Sequence, residues 1–464
     1  MNTLSKKLIY TFTGICLSAN AVAQAPHTSY FMESMPTRHQ LNPALTPDYN
    51  YVNMPLIPAL SGIQIGLNSN VGVANFLYPR GNELVTGLHS SVSNDEFLDN
   101  IHRNNVIEAN LKLNLLSFGF AKWGGYNTFD LSVRSITNMS LPYELFEFAK
   151  VGQIDGGPTS YDISGIGMET YNYAEIAVGH SRKITDKLTV GAKFKFIGGV
   201  LHASAKIDEL NVSMSQDRWQ IREKGRIFTT PALQIKYKEN GELDDFDFDA
   251  GSLGMDGVGI GFDLGATYKL LDNLTLSAAL TDIGFVTWKG AEATANPDPF
   301  VFDGFHHFGA EDDPITGESP LDKETDQIEE DLKSLTRFDN NQDSKSTRSL
   351  TTTLNIGGEY SILSDKISFG LLSSTRFGLP TVWTELMASA NFRPVSWFNA
   401  TINGSFSNIG QSMGVLLNFN PKGFNFYIGS DYIPFRYSKE GIPLYHAKAN
   451  ITMGISFTFN HSEI

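Results

Sequence analysis

Almost no cysteine, no long apolar run beyond the amino terminus and a shortage of positive charge set the first limits on this chain of 464 residues. Its one cysteine, Cys16, lies in a stretch expected to be removed: Lys6 and Lys7 precede an apolar run from Leu8 to Leu17, and Ala21-Val22-Ala23 supplies a small-residue cleavage pattern. This predicts a secretory signal over 1–23, cut between Ala23 and Gln24, and a mature chain without thiol, disulfide or thiolate metal site. Thr13-Gly14-Ile15 is a poor lipoprotein signal, so no acyl anchor is expected either. No later stretch reaches the roughly 20 apolar residues of a membrane helix. A net charge of −15 argues against a nucleic-acid partner.

Catalytic signatures are missing too. There is no G-x-S-x-G and no H-E-x-x-H. His180 and Ser181 are neighbours on a predicted strand and point to opposite faces, which prevents a direct pair. Gly257, Gly259 and Gly261 precede no helix, so they read as barrel glycines and not as a phosphate loop. Asp244 to Asp249 with Asp256 lacks the glycine and glutamate of a calcium loop, and His306-His307 has no third zinc ligand at a usable spacing. The expectation is a non-enzyme with no metal and no cofactor.

What the chain does have is alternation. From Ile451 to Asn460, Ile451, Met453, Ile455, Phe457 and Phe459 alternate with Thr452, Gly454, Ser456, Thr458 and Asn460. One face is apolar throughout and the other small and polar, over a length that crosses a bilayer when tilted. Taken alone, this strand also fits the edge of a soluble sandwich. The same design recurs at Ile63–Leu67, Val106–Ala121, Phe129–Val133, Thr170–Arg182, Leu188–Phe196, Gly259–Lys269, Leu274–Leu280 and five times between Leu350 and Phe419, then at Phe424–Ile428. Six tight turns, at 122–127, 183–187, 270–273, 361–366, 393–397 and 419–423, fall on one side, and the long connections 76–105, 138–169, 198–255 and 289–348 on the other. A sandwich has no reason to sort loops by side, whereas bacterial outer-membrane barrels do. The prediction is an all-β, transmembrane antiparallel β-barrel of about 14 strands over 60–460, in the Gram-negative outer membrane. Trp123 and Trp397 at one rim, and Trp288 and Trp383 at the other, are expected to form interfacial girdles.

Two segments depart from the pattern. Residues 24–59 are rich in proline yet too apolar for a disordered tail, and are expected to pack as a lumenal plug or a periplasmic segment. Residues 289–348 hold 15 acidic and 6 basic side chains and a predicted amphipathic helix from Ser319 to Leu335, and read as an acidic extracellular insertion.

The hairpins Tyr173-Ala174-Glu175-Ile176-Ala177-Val178-Gly179 with Lys187 to Lys193, and Gly261 to Tyr268 with Asn273 to Leu276, resemble those of the FadL-like long-chain fatty acid transporter barrels. The chain as a whole is similar to an uncharacterised, domain-of-unknown-function family of outer-membrane barrels, and Asn42-Pro43-Ala44 is similar to a segment near the mature amino terminus of that family. The transporter likeness implies a hydrophobic ligand, an amino-terminal plug and lateral release through a strand kink. No ligand-binding residue of that family matches a position here, so none is carried over.

Opposite the apolar faces lie Asp130, Arg134, Glu175, Lys193, Lys195, Asp263, Arg376, Glu385, Asp431 and Lys448. They are candidates for a polar pathway or ligand site, or for a lumen stitched by ion pairs around a plug. The expected pairs are Glu175 with Lys193 or Lys195, Arg376 with Glu385, and Asp431 with Lys448. Phe457 and Phe459 are the candidate assembly signal for the barrel-insertion machinery, although His461 to Ile464 extend past them. Outer-membrane lipid is the expected surrounding. For function, two readings stand: transport or binding of a small hydrophobic compound through a plugged lumen, or a non-transporting scaffold or adaptor for a secretion, motility or surface-assembly partner.

Overall fold

The computed structural model describes residues 27–53, 62–81, 83–154, 157–238, 243–295, 297–305, 319–335, 337–378, 381–433 and 448–461. The predicted cleavage site at Ala23 and Gln24 and the pair His306-His307 lie outside them.

The wall is made by β1 (Tyr49–Asn53), β2 (Ile63–Ser69), β3 (Asn104–Lys122), β4 (Gly125–Pro142), β5 (Gly167–Lys183) and β6 (Leu188–Met214). Above and outside it come β7 (Trp219–Thr229) and the hairpin β8 (Leu233–Tyr237) and β9 (Leu243–Phe248). The wall resumes with β10 (Gly257–Leu271), β11 (Leu274–Ala295), β12 (Asp339–Ser349), β13 (Thr353–Ile362) and β14 (Ile367–Arg376). It ends with β15 (Trp383–Val395), β16 (Phe398–Ser407), β17 (Gln411–Phe419), β18 (Phe424–Ile433) and β19 (Ala449–His461). Antiparallel pairing runs round the ring, and β19 closes it on β1 and β2, which also pair with β3. Counting β1 and β2 as one position and β12 as an outer continuation beside β13, the barrel has 14 strands. Closure leaves no ladder edge at membrane depth, which is what lipid requires.

Alternation sorts the faces. On β10, Val258, Ile260, Phe262 and Leu264 are exposed outward, while Asp263 between the last two is buried inside. On β6, Phe194 and Phe196 face out around buried Lys193 and Lys195. The turn between β3 and β4 uses left-handed Trp123 and Gly124, the two positive φ values that a tight hairpin needs.

Two boundaries and one facing differ from the sequence reading. The wall starts at Tyr49 and not near 60, because Tyr49 to Asn53 pair with the end of β19. Strands β6, β11 and β12 also run well past the bilayer: the 27 residues of β6 exceed by far the 9–11 a tilted crossing uses, so much of 198–214, 289–295 and 339–348 is an outer sheet and not loop. Alternation continues there without the lipid-facing apolar signal, which hid it. Third, Trp288 and Trp383 are buried inside the barrel, whereas Trp123 and Trp397 are exposed at the turn rim. Only the turn rim has its expected tryptophans, since inward pointing at a strand end looks the same in sequence as outward pointing. The predicted helices appear as α1 (Asn94–Leu98), capped by Ser93, α2 (Tyr143–Val151) and α3 (Pro320–Ser334).

A chain ended after Ser456 loses the residues to which Tyr49 to Val52 are paired, which opens the inner rim. Such a truncation is expected to leave no heat-modifiable barrel in the membrane fraction; normal levels of folded protein would contradict this role for Phe457 and Phe459.

Candidate functional site

Residues 27–48 lie in the lumen, from His27 beside Glu385 and Asp431 near the outward strand ends down to the turn side. Their apolar side chains Tyr30, Phe31, Met32, Met35 and Leu41 are buried against inward residues of the wall such as Leu372, Met387, Leu416 and Tyr427. The wall makes room for them with missing side chains. A Cβ on Gly191 would overlap the carbonyl of Pro43, and one on Gly265 would overlap Asn42. Asn42 is buried, donates to the carbonyls of Ala266 and Ala278 at 3.4 Å each and accepts from the Ala44 amide at 2.9 Å. The Asn-Pro-Ala stretch is therefore an Asx turn pressed on β10 and β11.

Polar contacts hold this plug in register. Lys193 places its ammonium 2.9 Å from Asp130 and 2.6 Å from Nδ1 of His39; His39 Nε2 is 2.6 Å from the Tyr51 hydroxyl, which is 3.0 Å from Ser117, and Ser117 donates to Asp130 at 2.8 Å. Lysine can only donate, so Nδ1 accepts and His39 is the neutral Nε2–H tautomer, and the donors then run one way round the ring to the carboxylate. Gln40 extends the ring by donating to Asp130 at 3.3 Å and accepting from Lys112 at 2.9 Å. At the start of the plug, Asp431 accepts the amides of His27 and Thr28 at 2.8 and 2.9 Å, together with the Thr28 hydroxyl. On the turn side, Arg393 grips Glu359 at 2.9 Å, Glu33 at 2.8 Å and the Phe31 carbonyl at 3.0 Å.

A second cluster lies outward of the plug. Lys195 pairs with Asp263 at 2.7 Å and Asp282 at 2.5 Å, and Arg134 bridges Asp282 at 3.1 Å to Glu175 at 3.3 Å. Asp282 has a left-handed backbone, with φ of 57°, where the β10–β11 register shifts; its amide donates to Asp263 at 2.7 Å. Farther round, Arg376 holds Glu108 through two hydrogen bonds of 2.9 and 3.1 Å and lies 5.0 Å over Trp383. Glu385 takes Lys448 at 3.4 Å and the Tyr432 hydroxyl at 2.9 Å, with His27 Nδ1 at 3.6 Å.

The ten candidates are thus inside the barrel, but among the described residues none of the three expected pairs is formed. Glu175 goes to Arg134 and not to Lys193 or Lys195, Arg376 to Glu108 and not to Glu385, and Lys448 to Glu385 and not to Asp431. The physical reason is reach: Arg134 on the adjacent β4 meets Glu175 first, whereas Glu108 and Lys448 meet Arg376 and Glu385 across the lumen from strands that are not their ladder neighbours. His27, His39, Glu108, Lys112, Asp282, Glu359 and Arg393 are the residues the sequence reading missed. Glu108 and Lys112 stood on the alternation of β3 and were findable; Asp282 was not, since the bulge reverses the facing of β11 at that point. In the outer hairpin, Asp247 pairs with Lys236 at 2.8 Å and Asp249 caps its own turn, and among the described residues no three His, Cys, Asp or Glu side chains gather as metal ligands would.

Between plug and outside, a cavity of about 90 Å³ is bordered by Gln40, Leu41, Gln64, Lys112, Arg134 and Tyr173. Above it the lumen turns apolar: Ile136, Tyr171, Tyr173, Ile197, Phe228, Val286, Trp288 and Leu350 form one buried cluster. The Trp288 indole fits against Gly199 and Gly257, which have no Cβ to collide with it. Beside the cavity the barrel closes in two steps. There β19 changes partner, from β1, where Asn53 pairs with Ser456, to β2, where Ile63 pairs with Met453.

Among proteins of known sequence family, residues 43–431 match the model of a family of unknown function, DUF5723. No curated protein matches the chain. Among solved structures it is similar to the toluene transporter TbuX of Ralstonia pickettii (8% identity, TM-score 0.43, 93% of this chain and 95% of that one) and to the toluene transporter TodX of Pseudomonas putida (11% identity, TM-score 0.41, 95% of each). A Pseudomonas aeruginosa FadL homologue is similar at 10% identity and a TM-score of 0.39, over 95% of this chain and 99% of that one. At these values the likeness adds nothing to the barrel read from the chain's own strand register.

Proposed function

The chain belongs to the DUF5723 family, and we propose that it is an outer-membrane barrel that takes up a small hydrophobic compound from outside, holds it above a fixed plug and releases it sideways through the wall. The observation that carries this is the order of environments along the lumen: an aromatic and aliphatic cluster rimmed by the pairs of Glu169 with His202 and Arg348, an ionic band beneath it, then the plug. An apolar compound gains roughly 25 cal/mol for each Å² buried in the cluster. It gains nothing by displacing the paired charges of Asp130, Lys193, Lys195 and Asp282, whose separation is costly. A way out that avoids the ionic band is lateral, where β19 changes partner from β1 to β2 beside Gln64 and Lys112 of the cavity. The cavity of about 90 Å³ is smaller than the ~150 Å³ that accepts one benzene ring, so loading requires the cluster side chains to move apart.

The adaptor reading keeps one observation in its favour, the outer sheet of β6, β7, β11 and β12 with α3, which rises above the bilayer and offers acidic surface. Purification from outer membranes in mild detergent followed by native mass spectrometry separates the two. Transport predicts a co-purified apolar small molecule that disappears in Trp288→Ala while heat-modifiable mobility persists. A stoichiometric protein partner with no small molecule in the wild type would overturn transport in favour of the adaptor.

A further inference from the structure

The wall exchanges partners at its outer rim. Above the end of β10, β11 pairs with β7, as Thr229 with Ala291, and the chain leaves the wall at Thr230 to form the separate hairpin of β8 and β9. Between that hairpin side and the outward surface of β11 and β12 lies a groove of about 770 Å³. Pro231, Leu233 and Ile235 line one side of it, Lys289 and Lys345 the other.

The two lysines are register partners, directly opposite each other on adjacent strands. Like charges so placed repel. Among the described residues neither has a carboxylate ion-pair partner, and Asp343, the one acidic residue on the groove's lining, has an interaction of its own. Their outward facing follows from the strand: on β11, Val286 and Trp288 are buried inside, so Phe285, Thr287 and Lys289 point out, and Phe285 is exposed. Phe285 and Val258 belong to the lipid-facing belt, one strand turn below the lysines, and exposed Phe248 carries apolar surface up onto the hairpin. The groove thus continues the lipid interface at the height where an outer leaflet has its headgroups.

We propose that this groove binds a phosphate-bearing lipid of the outer leaflet, the phosphate between Lys289 and Lys345 and an acyl chain along Leu233 and Ile235 towards Phe285. Ammonium groups on both sides of one phosphate relieve their mutual repulsion and supply several charge-assisted donors. The apolar side of the groove selects an anion that carries a chain. This inference rests on the transmembrane barrel and not on the transport reading.

Its test is native mass spectrometry of the full chain in mild detergent, titrated with dilauroyl phosphatidic acid, with phosphatidylcholine of the same chain length and with inorganic phosphate. Adducts of the phosphatidic acid are expected to survive on the wild type and to fall about tenfold in Lys289→Ala/Lys345→Ala, at roughly a few-fold per lysine for an anionic lipid surface. They should persist in Lys289→Arg/Lys345→Arg and fall in Ile235→Ser, whose lysines are intact. Both lysines are exposed, and heat-modifiable mobility checks that each variant is folded; if the double alanine variant does not fold, Ile235→Ser and the arginine pair decide. Equal retention of phosphatidylcholine, or undiminished phosphatidic acid on the alanine variant, overturns the proposal. Full displacement by millimolar inorganic phosphate overturns the lipid assignment in favour of a free-anion site.

Discussion

Deleting residues 27–48 is expected to turn a closed barrel into a conducting pore. The plug adds no strand to the wall: its contacts are side chains against the lumen and short hydrogen bonds to Asp431, Arg393, Lys193 and Asn355, while the ladders from β3 to β19 run without it. Removing it should therefore leave the barrel closed laterally and open axially, with Asp130 and Lys193 still paired at 2.9 Å along the new channel. Reconstituted in planar bilayers, the full chain should show no steady conductance and the deletion variant discrete open steps. A gentler version is Gly191→Leu, whose side chain would occupy the place of the Pro43 carbonyl and push the Asn-Pro-Ala turn off β10. It should raise the leak without changing the strand ladders. A folded deletion variant that stays silent would mean that the outer cluster around Trp288 seals the lumen by itself, and that the plug has another role.

How far the sequence discloses this architecture depends on which physical rule each residue obeys. Period-two alternation is a strong rule where one face meets lipid, so Val258 to Leu264 and Phe194 to Phe196 announce both the strand and the inward position of Asp263, Lys193 and Lys195. The sorting of tight turns to one side then gives an even strand number. Above the bilayer the rule weakens, because water tolerates either face, and the outer part of β6 and β12 passed for loop. Pairing of charges is harder still. Neighbour positions in sequence say which strands adjoin, but Arg134 reaches Asp282 only because a bulge with a left-handed aspartate turns that side chain inward. His39 and His27 take part only because the plug is threaded through the lumen, and composition alone left its place open between lumen and periplasm.

Replacing Lys195 with methionine should be the most destabilising single change in the lumen. Its ammonium is the shared partner of Asp263 and Asp282; without it Arg134 is left to serve Asp282 and Glu175, and Asp263 keeps the Asp282 amide as a donor and only the charge of Lys193 on the neighbouring strand. Breaking one partner out of a buried ionic group typically costs about 3–5 kcal/mol, because the remaining charge stays desolvated. Unfolding in urea from lipid vesicles, followed by heat-modifiable mobility, should show that loss as a lowered midpoint. The double variant Lys195→Met/Asp263→Asn removes the stranded charge together with its partner, and the neutral amide can still accept from the Asp282 amide. It should recover most of the loss, to within about 1–2 kcal/mol of the wild type, since an ion pair and a neutral replacement of similar volume are often close in energy. If the double variant is as unstable as the sum of its two single variants, Lys195 and Asp263 are not coupled, and the ionic band is held by its contacts to the plug rather than by its own pairs.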